Sequence, residues 1–428
     1  MFHASTATDY IDLFNQLMDL AASDHVSAAA ISAGGTGYTA GDILTVSGGT
    51  FTHAATIEVL TVSSGAVATA QVINGGAYTV DPTNPASTTG GTGTGATFNL
   101  TLTFTGWTVH RDQVISGSNR EAILEGEGSG SDSIFVGIRT FDSSPTYFNW
   151  ELAGMTGFNS GLSFSNQPGI SPGRYDGATS TEQDGAYTLL KNGAMNYWFF
   201  IDGSRILGIF KADTTYANMY LGFVDRLSTS VGYPYPLLVM GSSSQHNRSY
   251  TTNQIGHSGM LDPIAASDEV GPGFIYQPGG GWASVANGFD SGSGRTARMD
   301  CIVLPCGMVD ITIAPTGPIP KYDKFVHTSK TWDDFIPNTG DPGSQNFDMY
   351  PTPDSGGARS NMVPGVVLMQ SPVFQFLGQF RGVYWVGSSL EAGSLSAENL
   401  LTEGSDVFIV FNNCLRTERW TRFAVKRA

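Results

Sequence analysis

A Gly/Thr-rich tandem repeat near the start of the chain constrains the fold more than any other feature. Residues 31–62 and residues 73–104 form two copies, at an offset of about 40 residues that is typical of repeated structural units. Short β-branched runs between glycine turns predict short strands in each copy. The repeat therefore predicts a small β module. Matched positions recur in both copies: Tyr38 with Tyr78, 48–50 with 90–92, and 55–57 with 96–98.

The sequence changes character on both sides of this repeat. The Gly/Thr-rich pattern begins at Ala28, and aromatic and charged residues return after Gly106. We interpret residues 27–105 as a module inserted into a host domain. The host domain then has four parts: an N-terminal helix (residues 1–26), a β-rich domain (106–240), a loop-rich interaction region (241–365) and a C-terminal β region that completes it (366–428).

Composition favours strands over helices. Only 14% of the residues are charged and 54 of 428 are glycine, against typical shares of about 25% and about 7%. Threonine, valine and phenylalanine are β formers, and glycine marks turns. We expect a mainly β, multi-domain fold, with a β-sandwich or barrel-like host domain, one N-terminal helix and an inserted small β domain.

Two local patterns predict particular elements. Apolar residues recur at helical spacing across residues 6–22, and Thr6 with Asp9 resembles a capping box that would start this helix. Two apolar runs in residues 196–212 flank Asp202-Gly203, which predicts a β-hairpin with positive φ angles in its two-residue turn. Apolar runs predict further host strands: residues 106–112, 133–141, 147–152, 381–387, 406–411 and 420–426.

The net charge limits which partners are expected, and the cysteine content indicates the compartment of synthesis. The formal net charge of −16 repels nucleic-acid phosphates, so we expect no sequence-specific nucleic-acid partner. The sequence opens without a basic and apolar signal segment and has no run of about 18 apolar residues, which predicts neither secretion nor a membrane span. Three cysteines do not make a disulfide framework and favour synthesis in a reducing cytosol.

Short strings in the host domain, in their order and spacing, resemble a family of tailed-bacteriophage virion proteins. The resemblance leaves out the 27–105 insertion, which itself is similar to Gly-rich repeats of other phage structural proteins. In that family the tryptophan strand follows the N-terminal helix after a short connection, which supports the interpretation of an insertion. The strings that carry the resemblance are residues 6–10, 106–111, 134–140, 147–152, 196–200, 220–223, 233–237, 382–386 and 407–413.

The resemblance implies a non-enzymatic structural component of the tail, the neck or collar, or the baseplate. We expect such a protein to form homo-oligomers, to contact other tail, neck or baseplate proteins, and to reside in the virion after synthesis in the bacterial cytoplasm. It implies no catalytic residue, no cofactor and no metal site. The alternative function is a receptor- or glycan-binding tail-tip protein that contacts a host-surface glycan; a polysaccharide depolymerase is less favoured.

Carboxylate pairs are the first candidates for chemistry, because glycoside hydrolysis needs two carboxylates about 5 to 10 Å apart. Asp333 and Asp334 are adjacent, so on a strand they would point to opposite faces. Glu125 and Glu127 would share one face, but Gly126 and Gly128 predict a loop edge there. We assign no catalytic role to either pair.

Three further motifs have functional and structural interpretations. Cys301 and Cys306 could begin a metal site, but no second ligand pair has suitable spacing, so two reduced cysteines flanking a strand are expected. The glycines of residues 92–96 lack the lysine and helix of a phosphate loop, which favours a turn between strands. Ser242–Ser244 with His246 lack the strand-to-helix context of a nucleophile elbow.

The run Tyr233-Pro234-Tyr235-Pro236 is the one candidate interface. Alternating proline and tyrosine favour a stiff, extended segment with exposed rings. Such a segment could contact a neighbouring subunit or a sugar. The structural alternative is that the rings pack into the core, and the sequence leaves both open.

Overall fold

The computed structural model describes residues 1–129, 132–142, 147–173, 185–226, 232–244, 246, 249–251, 273–286, 301–304, 362–369, 375–386, 396–404, 406–413 and 422–427. These residues are mainly β, which confirms the predicted fold class. The described part contains three sheets, one α-helix, α1 (Tyr10–Ala21), and one 3-10 turn (Phe164–Asn166). Most of the region 241–365 lies outside the described residues.

The smallest sheet has five antiparallel strands in chain order, and it begins directly after the inserted module. Its first strand contains the predicted tryptophan strand, and the strands predicted at 133–141 and 147–152 are also confirmed. Trp150 packs edge-on against Phe14 of α1, and its ring nitrogen donates to the Tyr10 carbonyl oxygen at 3.0 Å. The helix is thereby fixed to this sheet. The strands are β10 (Trp107–Ser116), β11 (Asn119–Ser129), β12 (Asp132–Asp142), β13 (Phe148–Met155) and β14 (Ala186–Thr188).

The largest sheet has thirteen strands in the order β1-β15-β16-β17-β18-β19-β20-β21-β22-β23-β26-β25-β24, with one parallel pair, β20 with β21. The strands predicted near the C terminus all belong to it. The bounds are β1 (Phe2–Ala7), β15 (Met195–Asp202), β16 (Arg205–Ala212), β17 (Thr215–Phe223), β18 (Leu237–Met240), β19 (Gly273–Tyr276), β20 (Trp282–Ala286), β21 (Cys301–Leu304), β22 (Val363–Met369), β23 (Gln375–Trp385), β24 (Leu400–Glu403), β25 (Asp406–Phe411) and β26 (Phe423–Lys426).

The large sheet curls and carries a hydrophobic core on each face. One core lies between this sheet, the five-stranded sheet and α1, where Trp150 meets Phe210 of β16 at a ring distance of 5.6 Å. The other lies inside the curl, where Trp198 of β15 meets Phe411 of β25 at 5.2 Å. Strands from distant positions of the sheet therefore face each other.

The helix begins later than the sequence predicts. Residues 2–7 form β1 and pair with β15, so the predicted start at Thr6 and its capping box are wrong. Asp9 is the N-cap instead: its side chain accepts the N–H groups of Ile11 and Asp12, both at 2.8 Å. The Asp12 carboxylate reaches back to the N–H of Thr8 at 2.7 Å. Strand pairing of the first residues outweighs the helical pattern there.

The predicted hairpin is confirmed, but its turn is shifted by one residue. Asp202 pairs with Arg205, so the turn residues are Gly203 and Ser204, and neither has the positive φ that we predicted. The Asp202 carboxylate accepts the Ser204 N–H at 2.9 Å and holds the turn. A Cβ on Gly203 would lie 2.9 Å from the carboxylate of Glu127, an exposed side chain that can move aside.

The Gly/Thr-rich repeats form an eight-stranded sheet with its own core, in the order β4-β7-β2-β9-β8-β3-β5-β6. The sheet folds over, so that a Cβ added to Gly34 of β2 would lie 2.9 Å from the Val67 carbonyl oxygen of β6. Asp24 pairs with Phe104, so the chain enters and leaves the module side by side. The strands are β2 (Asp24–Thr36), β3 (Ile43–Val46), β4 (Thr50–His53), β5 (Thr56–Ser63), β6 (Ala66–Asn74), β7 (Ala77–Val80), β8 (Ala86–Thr89) and β9 (Thr94–Phe104).

The two repeats interlock through their matched tyrosines. Tyr38 of the first repeat accepts the N–H of Ala96 in the second at 3.3 Å. Tyr78 of the second accepts the N–H of Ala55 in the first at 2.9 Å. Both rings are buried. Each tyrosine therefore accepts a backbone N–H of the other repeat, which gives the two repeats a reciprocal, pseudo-twofold arrangement.

Candidate functional site

The predicted interface segment, Tyr233 to Pro236, lies largely within the fold. Tyr233 is buried and donates to the Tyr276 carbonyl oxygen at 2.5 Å. Tyr235 is half-buried and donates to the Met155 carbonyl oxygen. Pro236 is buried and Pro234 is exposed. The rings whose exposure motivated the interface hypothesis thus pack between β13 and β19, as the structural alternative expects.

The serine run near His246 is structural. Ser242 and Ser243 have no exposed surface, and their N–H groups both donate to the Tyr187 carbonyl oxygen, at 2.8 and 2.9 Å. The Ser242 hydroxyl accepts the N–H of Leu189 at 3.3 Å. His246 is buried, and its carbonyl oxygen accepts the side-chain amide of Asn149 at 2.8 Å. This run joins β14 to β18 and offers no hydroxyl to a substrate.

The pair Glu125 and Glu127 lies within β11, so the predicted loop edge at Gly126 and Gly128 is wrong. Gly126 lies in the interior of β11. Glycine suits this position because a Cβ there would lie 3.0 Å from the Trp107 ring. Glu125 is 2.6 Å from His110 Nε2, and this hydrogen bond holds the pKa of Glu125 below its ordinary value. Glu125 thus has a hydrogen-bond partner, His110, on the neighbouring strand β10.

The other candidates are only partly described. Cys301 is buried in β21, while Cys306, Asp333 and Asp334 lie outside the described residues. Residues 92–96 form the turn into β9 and its first residues, as predicted. Among the described residues there is no group of three His, Cys, Asp or Glu side chains placed to hold a metal ion.

The sheets expose strand edges that our sequence analysis missed. Strands β4, β10 and β24 each end a sheet, and no described strand pairs with their outer edges. Each edge region carries an exposed apolar side chain: Phe51 is 43%, Val114 64% and Leu400 55% exposed. An exposed apolar edge is a template for pairing with another chain. The signal in the sequence is an apolar residue at an outward position of a short strand. It can be recognised only once the register of the strand is known.

The β10 edge also carries a surface cluster of rings and charges. His110 stacks on Phe158 with a ring distance of 4.7 Å. The Arg111 guanidinium lies 5.8 Å from the same ring and bonds Leu162 of the following loop. Glu125 completes the cluster through His110. The Arg111 guanidinium also pairs with Glu121 at 3.3 Å and is 11% exposed. The rings and the Glu125 carboxylate are therefore the groups that can stack on and hydrogen-bond a polar, ring-shaped ligand.

No family model matches the chain, and no curated protein matches it significantly. No helix within the described ranges has the length and apolarity needed to cross a membrane.

Proposed function

We propose that this protein is a structural component of a tailed-bacteriophage particle, in the tail, the neck or collar, or the baseplate. It acts by homo-oligomeric assembly and by contacts with neighbouring tail, neck or baseplate proteins. The proposal combines the resemblance of the host strings with the exposed apolar strand edges. Those strings coincide with elements of the host core, including Trp107, Trp150 and Phe411, all fully buried.

The exposed edges carry the assembly part of the proposal. Edge pairing supplies main-chain hydrogen bonds together with apolar contacts, so a second chain can continue a sheet without a preformed pocket. Val114 on β10 and Leu400 on β24 are the anchors on the host domain, and Phe51 on β4 is the anchor on the module. Neighbouring subunits or other virion proteins are the partners of these edges.

A triple substitution tests this assembly mode. Phe51→Lys, Val114→Lys and Leu400→Lys place a charge at each edge, which opposes strand pairing. We expect the wild-type protein to sediment as an oligomer and the triple variant as a monomer, with unchanged circular dichroism. Leu162→Lys is the matched control, because Leu162 is 38% exposed but lies in a loop. Equal sedimentation of wild type and triple variant would contradict edge-mediated assembly.

Membership of the particle needs a separate test. An antibody raised against the module should label purified virions at one axial position in electron micrographs. Mass spectrometry of the same particles should detect the chain in constant proportion to the other structural proteins. A chain present in infected cells and absent from purified particles would overturn the proposal.

The second candidate function is binding of a host-surface glycan, and the cluster of His110, Phe158, Arg111 and Glu125 favours it. Stacking on an aromatic ring with nearby charged hydrogen-bonding groups suits a sugar. A glycan array with the purified protein tests this candidate. Phe158→Ala should abolish any binding without lowering the melting temperature by more than a few degrees, and released sugar would point to the depolymerase instead.

A further inference from the structure

The module contacts the host domain through a small, specific surface. Gly75, just after β6, donates its N–H to the Phe2 carbonyl oxygen of β1 at 3.3 Å. Ala77 of β7 is buried in the core that α1 shares with the sheets. Asn74 Oδ1 lies 2.6 Å from His3 Nδ1. One strand of the host domain and one turn of the module thus form most of this contact.

Imidazole rings fill this contact. His3 of β1 is 2% exposed, and His53 of β4 meets it with a ring distance of 4.5 Å and a tilt of 59°. His25 of β2 is 8% exposed and lies against Gly75, where an added Cβ would be 3.2 Å from the His25 Cβ. Within the described structure, His3 Nε2, His53 Nε2 and His25 Nδ1 are buried with no hydrogen-bond partner. A proton added to any of these nitrogens would therefore have no hydrogen-bond acceptor among the described groups.

Burial is the largest influence on all three rings. It lowers the pKa of His3 to about 4, with His53 acting in the same direction and the Asn74 hydrogen bond against it. It also lowers the pKa of His25 to about 4, assisted by the Met1 amino group. The pKa of His53 is lowered by burial too, although Asp19 and Asp12 of α1 oppose the shift.

The remaining neighbours add little charge to this contact. Tyr197 of β15 stacks on His3 at 5.8 Å, and burial raises the pKa of its hydroxyl, which therefore stays neutral. Arg120 acts on Asp19 and partly offsets that carboxylate. Among the described groups, only the two aspartates of α1 favour the protonated form of His53.

We propose that the contact between the module and the host domain is an acid-sensitive latch, which closes when His3 and His53 are neutral and opens when they are protonated. A protonated pair would place two positive charges in a buried site with rings 4.5 Å apart. Opening exposes both rings to water, where each can carry its charge. The module would then move about the β2/β9 ladder that joins it to the host domain.

The sign of the pH dependence follows from the lowered values. An exposed imidazole has an ordinary pKa of about 6.5, so below that pH the open state binds more protons than the closed state. The latch is therefore fully stable above about pH 6.5 and weakens as the pH falls towards 4. For His3 alone, the closing equilibrium at pH 5 is weakened by about 30-fold.

Hydrogen exchange of the full chain between pH 7.5 and pH 5, corrected for intrinsic exchange rates, tests the latch. We expect residues 74–77, where Gly75 donates its N–H to Phe2, to lose protection at pH 5. Residues 1–7, which pair with β15, and residues 56–63 inside the module should keep theirs. His3→Gln with His53→Gln should remove most of the pH dependence and leave the part that His25 contributes. His110→Gln is the control, because His110 lies on the exposed β10 edge and should leave the profile unchanged.

Two results would overturn the latch. One is equal protection of residues 74–77 at both pH values in the wild-type chain. The other is a double variant that loses protection at pH 5 as the wild type does. If the double variant is already open at pH 7.5, His53→Phe decides. The logarithm of its opening constant should change by about one less per pH unit than that of the wild type, because one titrating ring is missing. An unchanged slope would also contradict the proposal.

Discussion

At the residue scale, Asp42 shows how one carboxylate closes the module. Its oxygens accept the N–H groups of Thr39 at 2.9 Å and Thr92 at 3.1 Å, and the Thr92 hydroxyl at 2.7 Å. The hydrogen bond from the Thr39 backbone, followed by those from Thr92, lowers the pKa of Asp42 to about 2. Since Thr39 belongs to the first repeat and Thr92 to the second, the carboxylate ties the repeats together.

This predicts a second acid-sensitive step, well separated from that of the histidines. A carboxylate with a lowered pKa stabilises the fold above its ordinary value near 4, and this stabilisation is lost as the pH falls towards 2. Asp42→Asn should therefore lower protection of residues 56–63 at neutral pH and flatten the pH dependence between 4 and 2, as measured by hydrogen exchange. Asp81→Asn, an exposed carboxylate of the second repeat, should change neither.

At the scale of elements, the module depends on reciprocal tyrosines. Gly35 and Gly76 precede Tyr38 and Tyr78 and have φ angles of +63° and +72°, a conformation that favours glycine. A Cβ on either glycine would lie 2.8 Å from the ring of the tyrosine that follows it. Each glycine therefore lets a buried ring reach across to the other repeat.

The matched tyrosines should contribute similarly to stability. Tyr38→Phe and Tyr78→Phe each leave a buried backbone N–H, of Ala96 or Ala55, without its acceptor, which costs about 1 to 3 kcal/mol. Hydrogen exchange of residues 56–63 in the full chain measures this loss. Tyr250→Phe is the control, since that hydroxyl bonds the exposed Asp213 side chain of the host domain. A large loss for only one tyrosine of the pair would contradict the pseudo-twofold arrangement.

Elements with strong local patterns could be predicted from the sequence, and those fixed by distant contacts could not. The hairpin of β15 and β16 follows from two apolar runs, but its turn position is defined by the pairing of Asp202 with Arg205 and by the hydrogen bond from Ser204 to Asp202. The self-similarity of the repeats was visible, while their exchange of tyrosine hydrogen bonds was not. The histidine contact joins positions 3, 53 and 74, which no spacing rule connects.

At the scale of the whole molecule, the module and the host domain have separate cores. The module core contains residues between Val26 and Leu102, whereas the two host cores share the large sheet. Of the module, Ala77 alone joins a host core among the described residues. The antiparallel ladder of β2 and β9 brings Asp24 opposite Phe104 and Val26 opposite Leu102. Directly opposite residues of such a ladder are about 5 Å apart, so the host chain is hardly interrupted.

This separation predicts that the module can be removed and can fold alone. Replacing residues 27–101 by an Asn-Gly turn joins Val26 to Leu102 in their existing register. We expect the shortened protein to stay soluble and to unfold cooperatively within a few degrees of the full chain. The fragment 24–104 should give the circular dichroism of a β protein and protected amides in residues 56–63. Deletion of residues 119–142 is the control, because β11 and β12 supply the core shared with α1, and it should abolish folding. An unfolded fragment, or a shortened chain that aggregates as the control does, would contradict the separation.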